Sequence, residues 1–154
     1  MQQASPTNAI PPASVVAPEG FRQVHGEVMA MRWGDMDAMM HVNNTVYFRF
    51  MEQARISWVD SWGVGNTADQ PEGPVIASAS CRFRKPLKYP GQVEVRVYAG
   101  KIGRSSLPTY YEIRRTDDAE TVYATGEALF VWISNVTGKP VSFPVVVRER
   151  LGNN

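Results

Sequence analysis

The segment that most constrains this chain is a helical pattern that begins at Asn43 or Asn44 and runs to Trp62. Tyr47, Phe50, Met51, Ala54, Trp58 and Trp62 fall at i, i+3, i+4, i+7, i+11 and i+15, one stripe of a 3.6-residue helix. Val46, Phe48, Ile56 and Val59 add apolar groups off the stripe, so the helix is expected to be buried on most sides. Either Asn suits the N-cap, because its side-chain oxygen can accept an orphan amide hydrogen of the first turn. Gly63 fits a C-cap. Just upstream lies a polar turn, Gly34-Asp35-Met36-Asp37-Ala38-Met39-Met40-His41. An acid-bearing turn therefore feeds a helix N-terminus, where free amides and the helix dipole favour negative charge.

A buried helix needs a surface to lie on, and the rest of the chain reads as strands. Residues 21–33 alternate imperfectly and predict one strand before the helix. Residues 63–74, rich in Gly, Pro, Asn and Asp, predict a loop. Residues 75–85 place Ala77, Ala79, Cys81 and Phe83 on one face and Ser78, Ser80, Arg82 and Arg84 on the other. Residues 92–98 turn Val93, Val95 and Val97 inward, and residues 107–115 align Thr109, Tyr111 and Ile113. Pro108 fits near a strand start. Asp117-Asp118 marks a tight turn, and residues 121–133 form a long last strand in which Gly126 is expected to allow a bend or bulge. The segment after Pro144 is ambiguous. The order is strand, long helix, then four strands joined by short connections. Such connections predict antiparallel neighbours, hence an α+β two-layer domain with the helix across the sheet. Its sheet edges would invite self-association.

The chain has 154 residues, enough for a single domain over 19–154, preceded by a Pro/Ala/Ser-rich tail over 1–18 that shows no period and is expected to be flexible. Lys plus Arg number 16 and Asp plus Glu 15, and this balance argues against a generic nucleic-acid binder. The lone Cys81 rules out an internal disulfide and fits a reducing compartment. No apolar run has membrane-spanning length, and no Lys or Arg precedes Arg22, so a cytoplasmic protein is the expectation.

The quoted segments carry a resemblance. R-W-G-D-M-D-A-M-M-H-V-N-N-T-V-Y-F at residues 32–48, followed by E-Q-A-R at 52–55, resembles the hotdog-fold acyl-CoA thioesterases of the 4-hydroxybenzoyl-CoA thioesterase type. K-P-L-K-Y-P-G at 85–91 and G-R-S-S at 103–106 are similar to that family's links between later strands. The resemblance implies a hotdog fold, an antiparallel sheet wrapped around one long central helix. It also implies a homodimer or homotetramer with active sites at the dimer interface, an acyl-CoA substrate, and hydrolysis without metal or cofactor. The catalytic carboxylate of the family matches Asp37, not Asp35, and the carbonyl-polarising backbone amide matches that of Asn44. One departure is Met40, where the family usually carries Gly, a residue that permits positive φ or close backbone approach.

A carboxylate can attack a thioester carbonyl to give a mixed anhydride, or it can activate a water. Both routes build negative charge on the carbonyl oxygen, which the Asn44 amide would meet. His41 and Asn43 are candidate supports of this site. Tyr47 is a candidate acyl contact, with core packing as its commoner fate. Arg84, Arg104, Ser105 and Ser106 are candidate contacts for the CoA phosphates, and a solvated face accounts for the same charges. Glu52 and Arg55 are spaced to pair on the helix, and Cys81 is expected in the core. The spacing of Asp35, Asp37 and His41 is not that of a metal site. Two alternatives remain in view: a non-catalytic acyl-CoA-binding protein, kept open by Met40, and a hotdog hydratase or dehydratase, whose Asp–His spacing and Asn-Pro differ from those here.

Overall fold

A computed structural model describes residues 17–152, so most of the tail expected over 1–18 lies outside the described residues. In chain order the elements are β1 (Arg22–Ala30), a short 3-10 turn (Trp33–Asp35), α1 (Asn44–Asp60), β2 (Glu72–Phe83), β3 (Gln92–Ala99), β4 (Ser106–Arg115), β5 (Asp118–Ser134) and α2 (Val145–Leu151). The five strands form one antiparallel sheet in the order β1-β3-β4-β5-β2. α1 lies on one face of it, so this is the hotdog form of an α+β fold.

The inward valines were legible from alternation. Val93, Val95 and Val97 are fully buried and meet the α1 stripe of Tyr47, Phe50, Met51, Ala54 and Trp58. Burying each such side chain is worth about 1.5–3 kcal/mol, which holds helix to sheet. The off-stripe residues behave less uniformly than expected. Val59 is buried, but Phe48 and Ile56 are exposed, so α1 is amphipathic rather than buried on most sides. The helix ends at Asp60 with Ser61 as C-cap, and the chain then turns through Gly63, which takes φ +73° and donates its N–H to the Asp60 carbonyl.

Two sequence expectations are corrected. β2 does not neighbour β3: it pairs with β5 and forms one edge of the sheet. The eight residues 84–91 instead carry the chain three strand spacings across the sheet, about 14 Å at 4.8 Å each. That span is well within the reach of eight extended residues. Gly126 produces no register shift, being in line with Cys81 on β2 and Tyr111 on β4. Its role is close approach: a Cβ there would sit 2.1 Å from the Met51 sulfur, so glycine lets the helix settle onto β5. The register shifts nearby lie between Ile76 and Ser78 on β2 and between Ile113 and Arg114 on β4, where β5 skips Tyr123. The ambiguous C-terminal segment is α2, which buries Val147 and Leu151.

Candidate active site

The turn before α1 is closed by its own backbone. The Asp37 N–H donates to the His41 carbonyl at 2.8 Å, and the Met40 N–H donates to the Asp37 carbonyl at 3.0 Å. Closing so tight a loop requires one residue with positive φ, and that residue is Met40 at φ +60°. The backbone shape for which Gly is suited is thus kept with a methionine in place. Beyond the turn, Asn43 caps α1: its Oδ1 accepts the Thr45 N–H at 2.9 Å and the Thr45 hydroxyl at 2.7 Å. The Asn43 carbonyl accepts the Val46 N–H at 2.9 Å. Among the described residues no group accepts the N–H of Asn44, the first residue of α1.

The two aspartates of the turn face different surroundings. Asp35 accepts the Arg32 N–H at 2.7 Å and borders a groove between β1 and α1. Asp37 borders a cleft of about 270 Å³ lined also by Met39, His41, Asn44, Tyr47, Phe83 and Arg84. Its Oδ1 accepts the Met39 N–H at 2.9 Å, which fixes the carboxyl group in the turn. The cleft therefore gathers a half-buried carboxylate, a helix-start amide, an imidazole and a guanidinium. That set suits a carbonyl substrate whose oxygen turns anionic.

Tyr47 is 2 % exposed, and its hydroxyl accepts the Leu87 N–H at 3.1 Å. Burial pushes its pKa up, opposed by that hydrogen bond. The ring meets Phe83 edge-on at 5.0 Å. Arg84 leaves its Nε buried without a hydrogen-bond partner among the described residues. Lys85, at the rim, lies 4.9 Å over the Tyr123 ring and 3.4 Å from Asp118, and both raise its pKa. Glu52 pairs with Arg49 at 3.1 Å rather than with Arg55, which instead lies 5.9 Å from the Tyr111 ring centre. Cys81 is half-buried on the helix-facing side, and burial pushes its thiol up to about 11. Among the described residues no three His, Cys, Asp or Glu side chains are grouped to hold a metal.

Arg104, Ser105 and Ser106 lie elsewhere in the same chain. The Ser105 carbonyl accepts the Trp132 N–H, whereas Arg84 at the cleft donates to the Tyr123 carbonyl. Nine residues of β5 separate the two points, about 30 Å of strand. Leu87 is the site residue that motif reading missed. It is fully buried between two lysines, and its carbonyl accepts the Val42 N–H of the turn at 2.9 Å. Its signals were an apolar residue inside a Lys/Pro-rich connection and its place in the family-like segment at 85–91, neither of which gave it a role.

With fold and cleft in view, comparison with known proteins assigns the class. The sequence model of the thioesterase-like superfamily matches residues 31–151, and the chain belongs to that superfamily. Among solved structures, it is similar to the PA2801 protein of Pseudomonas aeruginosa, at 32 % identity and TM-score 0.81, over 85 % of this chain and 100 % of that one. It is also similar to a thioesterase of Thermus thermophilus complexed with coenzyme A and zinc, at 28 % identity and TM-score 0.70, over 86 % of this chain and 93 % of that one. The YsmA protein of Bacillus subtilis is 26 % identical over 123 residues, 80 % of this chain and 82 % of that protein.

Proposed function

We propose that this protein hydrolyses an acyl-CoA thioester to the free acid and CoA. The observation that carries this reading is one cleft holding the Asp37 carboxylate together with Asn44, whose N–H has no acceptor among the described residues. The thioester carbonyl oxygen points at that amide. Asp37 then either attacks the carbonyl carbon or takes a proton from an attacking water. In the first route the C–S bond breaks, the thiolate leaves and water hydrolyses the mixed anhydride. In the second, the tetrahedral adduct expels the thiolate directly. Asn44 meets the same developing charge in both. The likeness to a thioesterase complexed with coenzyme A supports the choice of thiol.

The working unit in this reading is a homodimer joined along β2. Among the described residues that strand is an unpaired sheet edge with Val75, Ile76 and Phe83 exposed, a surface that favours strand pairing with a second copy. Antiparallel pairing of two β2 strands brings the Arg104–Ser106 turn of one copy toward the Asp37 cleft of the other, bridging the separation found within one chain. Arg84 and the partner's Arg104 then serve the CoA phosphates.

The test is thiol release from acyl-CoAs of graded length, followed by subunit mixing. Asp37→Asn and Arg104→Glu chains are each inactive or weak. Mixed after unfolding and refolding, they regain about a quarter of wild-type activity, because half the dimers carry one intact composite site. Release of no thiol from any acyl-CoA contradicts the hydrolase reading. Absence of complementation contradicts the shared site.

A further inference from the structure

Resting on that reading, we propose that the acyl site ends within about one helical turn of the Asn44 amide, at the Tyr47–Phe83 pair, so the substrates carry compact acyl groups of about six carbons or fewer. Both rings line the Asp37 cleft. Tyr47 is not free to swing aside without loss. Tyr47 is 2 % exposed and held by the Leu87 N–H, and Phe83 packs against it at an interplanar angle of 86°.

The space behind this wall is already filled. One turn further along α1, Met51 sits on Gly126, close enough that any Cβ at 126 would collide with its sulfur. Ala54 follows with no exposure, and then Trp58, Trp62, Phe130 and Trp132 form an aromatic cluster with neighbouring ring centres 4.9–6.4 Å apart. A methylene chain entering between helix and sheet would have to displace this packing, which is costly in a close-packed interior.

The length limit takes the acyl chain to run from the Asn44 amide along α1. Tyr47 stands three residues after Asn44, about 4.5 Å along the axis at 1.5 Å per residue. An extended acyl chain advances about 1.25 Å per carbon, the projection of a ~1.5 Å single bond. About four carbons beyond the carbonyl therefore reach the wall, and a bent chain fits one or two more.

The experiment compares kcat/KM on butanoyl-, hexanoyl-, decanoyl- and dodecanoyl-CoA for wild type and Phe83→Ala, with circular dichroism to verify folding and size-exclusion chromatography to verify that the oligomeric state is unchanged. Phe83 is 43 % exposed, so its truncation leaves the core largely untouched. The expected wild-type profile falls about tenfold or more between hexanoyl and dodecanoyl, a modest drop beside the roughly 10–200-fold weight of a single methylene in a closed pocket. Phe83→Ala is expected to flatten that fall to about threefold or less. A wild-type profile that holds level or rises to dodecanoyl overturns the depth limit while leaving the thioesterase reading intact. A Phe83→Ala profile superimposable on wild type overturns the wall. Activity on none of the four overturns the hydrolase reading and the depth limit together.

Discussion

The hydroxyl of Tyr47 accepts the main-chain N–H of Leu87 at 3.1 Å, and this one bond ties the start of α1 to the connection that crosses the sheet. The Leu87 carbonyl in turn accepts the Val42 N–H at 2.9 Å, so the connection also holds the end of the acid-bearing turn. Tyr47→Phe keeps the ring but leaves a buried N–H unpaired. The expected cost is about 1–3 kcal/mol of unfolding free energy, read by urea denaturation. A reduced kcat should accompany it, because Val42 follows directly on His41. Wild-type stability in this variant would show the bond to be incidental.

Asn44 offers a way to remove one backbone donor without breaking the helix. It is the first residue of α1, and Asn43 before it has φ −58° and ψ 141°, a conformation compatible with a following proline. Proline is well tolerated at a first helical position. Asn44→Pro should therefore keep the circular dichroism spectrum while lowering kcat by about 10²–10³, the usual cost of one oxyanion donor. A kcat near wild type would place the oxyanion contact elsewhere.

Cys81 gives a pH-dependent test of the fold around the cleft. Burial raises its thiol from 9.0 to about 11, so between those values the unfolded chain is ionised and the folded chain is not. Near pH 8 the folded protein carries about a hundredfold fewer thiolates than the unfolded one, and the thiolate is the reactive form. Alkylation of the folded protein should be slower by roughly that factor, and should accelerate as pH rises through about 11. By the same sign, ionisation of Cys81 opposes folding above pH 9, because the unfolded chain then binds fewer protons. Equal labelling rates in the two states would contradict the burial.

What could be read from the sequence tracks how local the causes are. The α1 stripe and the inward valines of β3 depend on neighbours a few residues away, and periodicity registers them; the same local causes narrowed the cap to Asn43 or Asn44, of which Asn43 serves. The partner of β2 depends on a chain crossing of the sheet, which the eight residues 84–91 permit but do not announce. Gly126 reads as a flexible point in sequence, whereas its small size matters only because Met51 arrives there from a distant segment. Asp37, His41 and Asn44, close together in the motif, line one cleft, and Arg84 reaches it from the end of β2. The family-like segment at 85–91 contains Leu87 but gave it no role, since a main-chain contact leaves little trace in side-chain chemistry. Met40 shows the reverse: the sequence flagged an altered residue, and the backbone keeps the left-handed turn regardless.

The most direct test of the account is CoA release, followed with a thiol-reactive dye, by wild type and Asp37→Asn side by side on hexanoyl-CoA. Asparagine keeps the side chain's size and its acceptor for the Met39 N–H, but it cannot act as base or carboxylate nucleophile. Wild type should turn over hexanoyl-CoA, and Asp37→Asn should lose about 10²–10⁴ in kcat while keeping hexanoyl-CoA binding and an unchanged circular dichroism spectrum. An Asp37→Asn protein that turns over within a few-fold of wild type would contradict a catalytic role for Asp37.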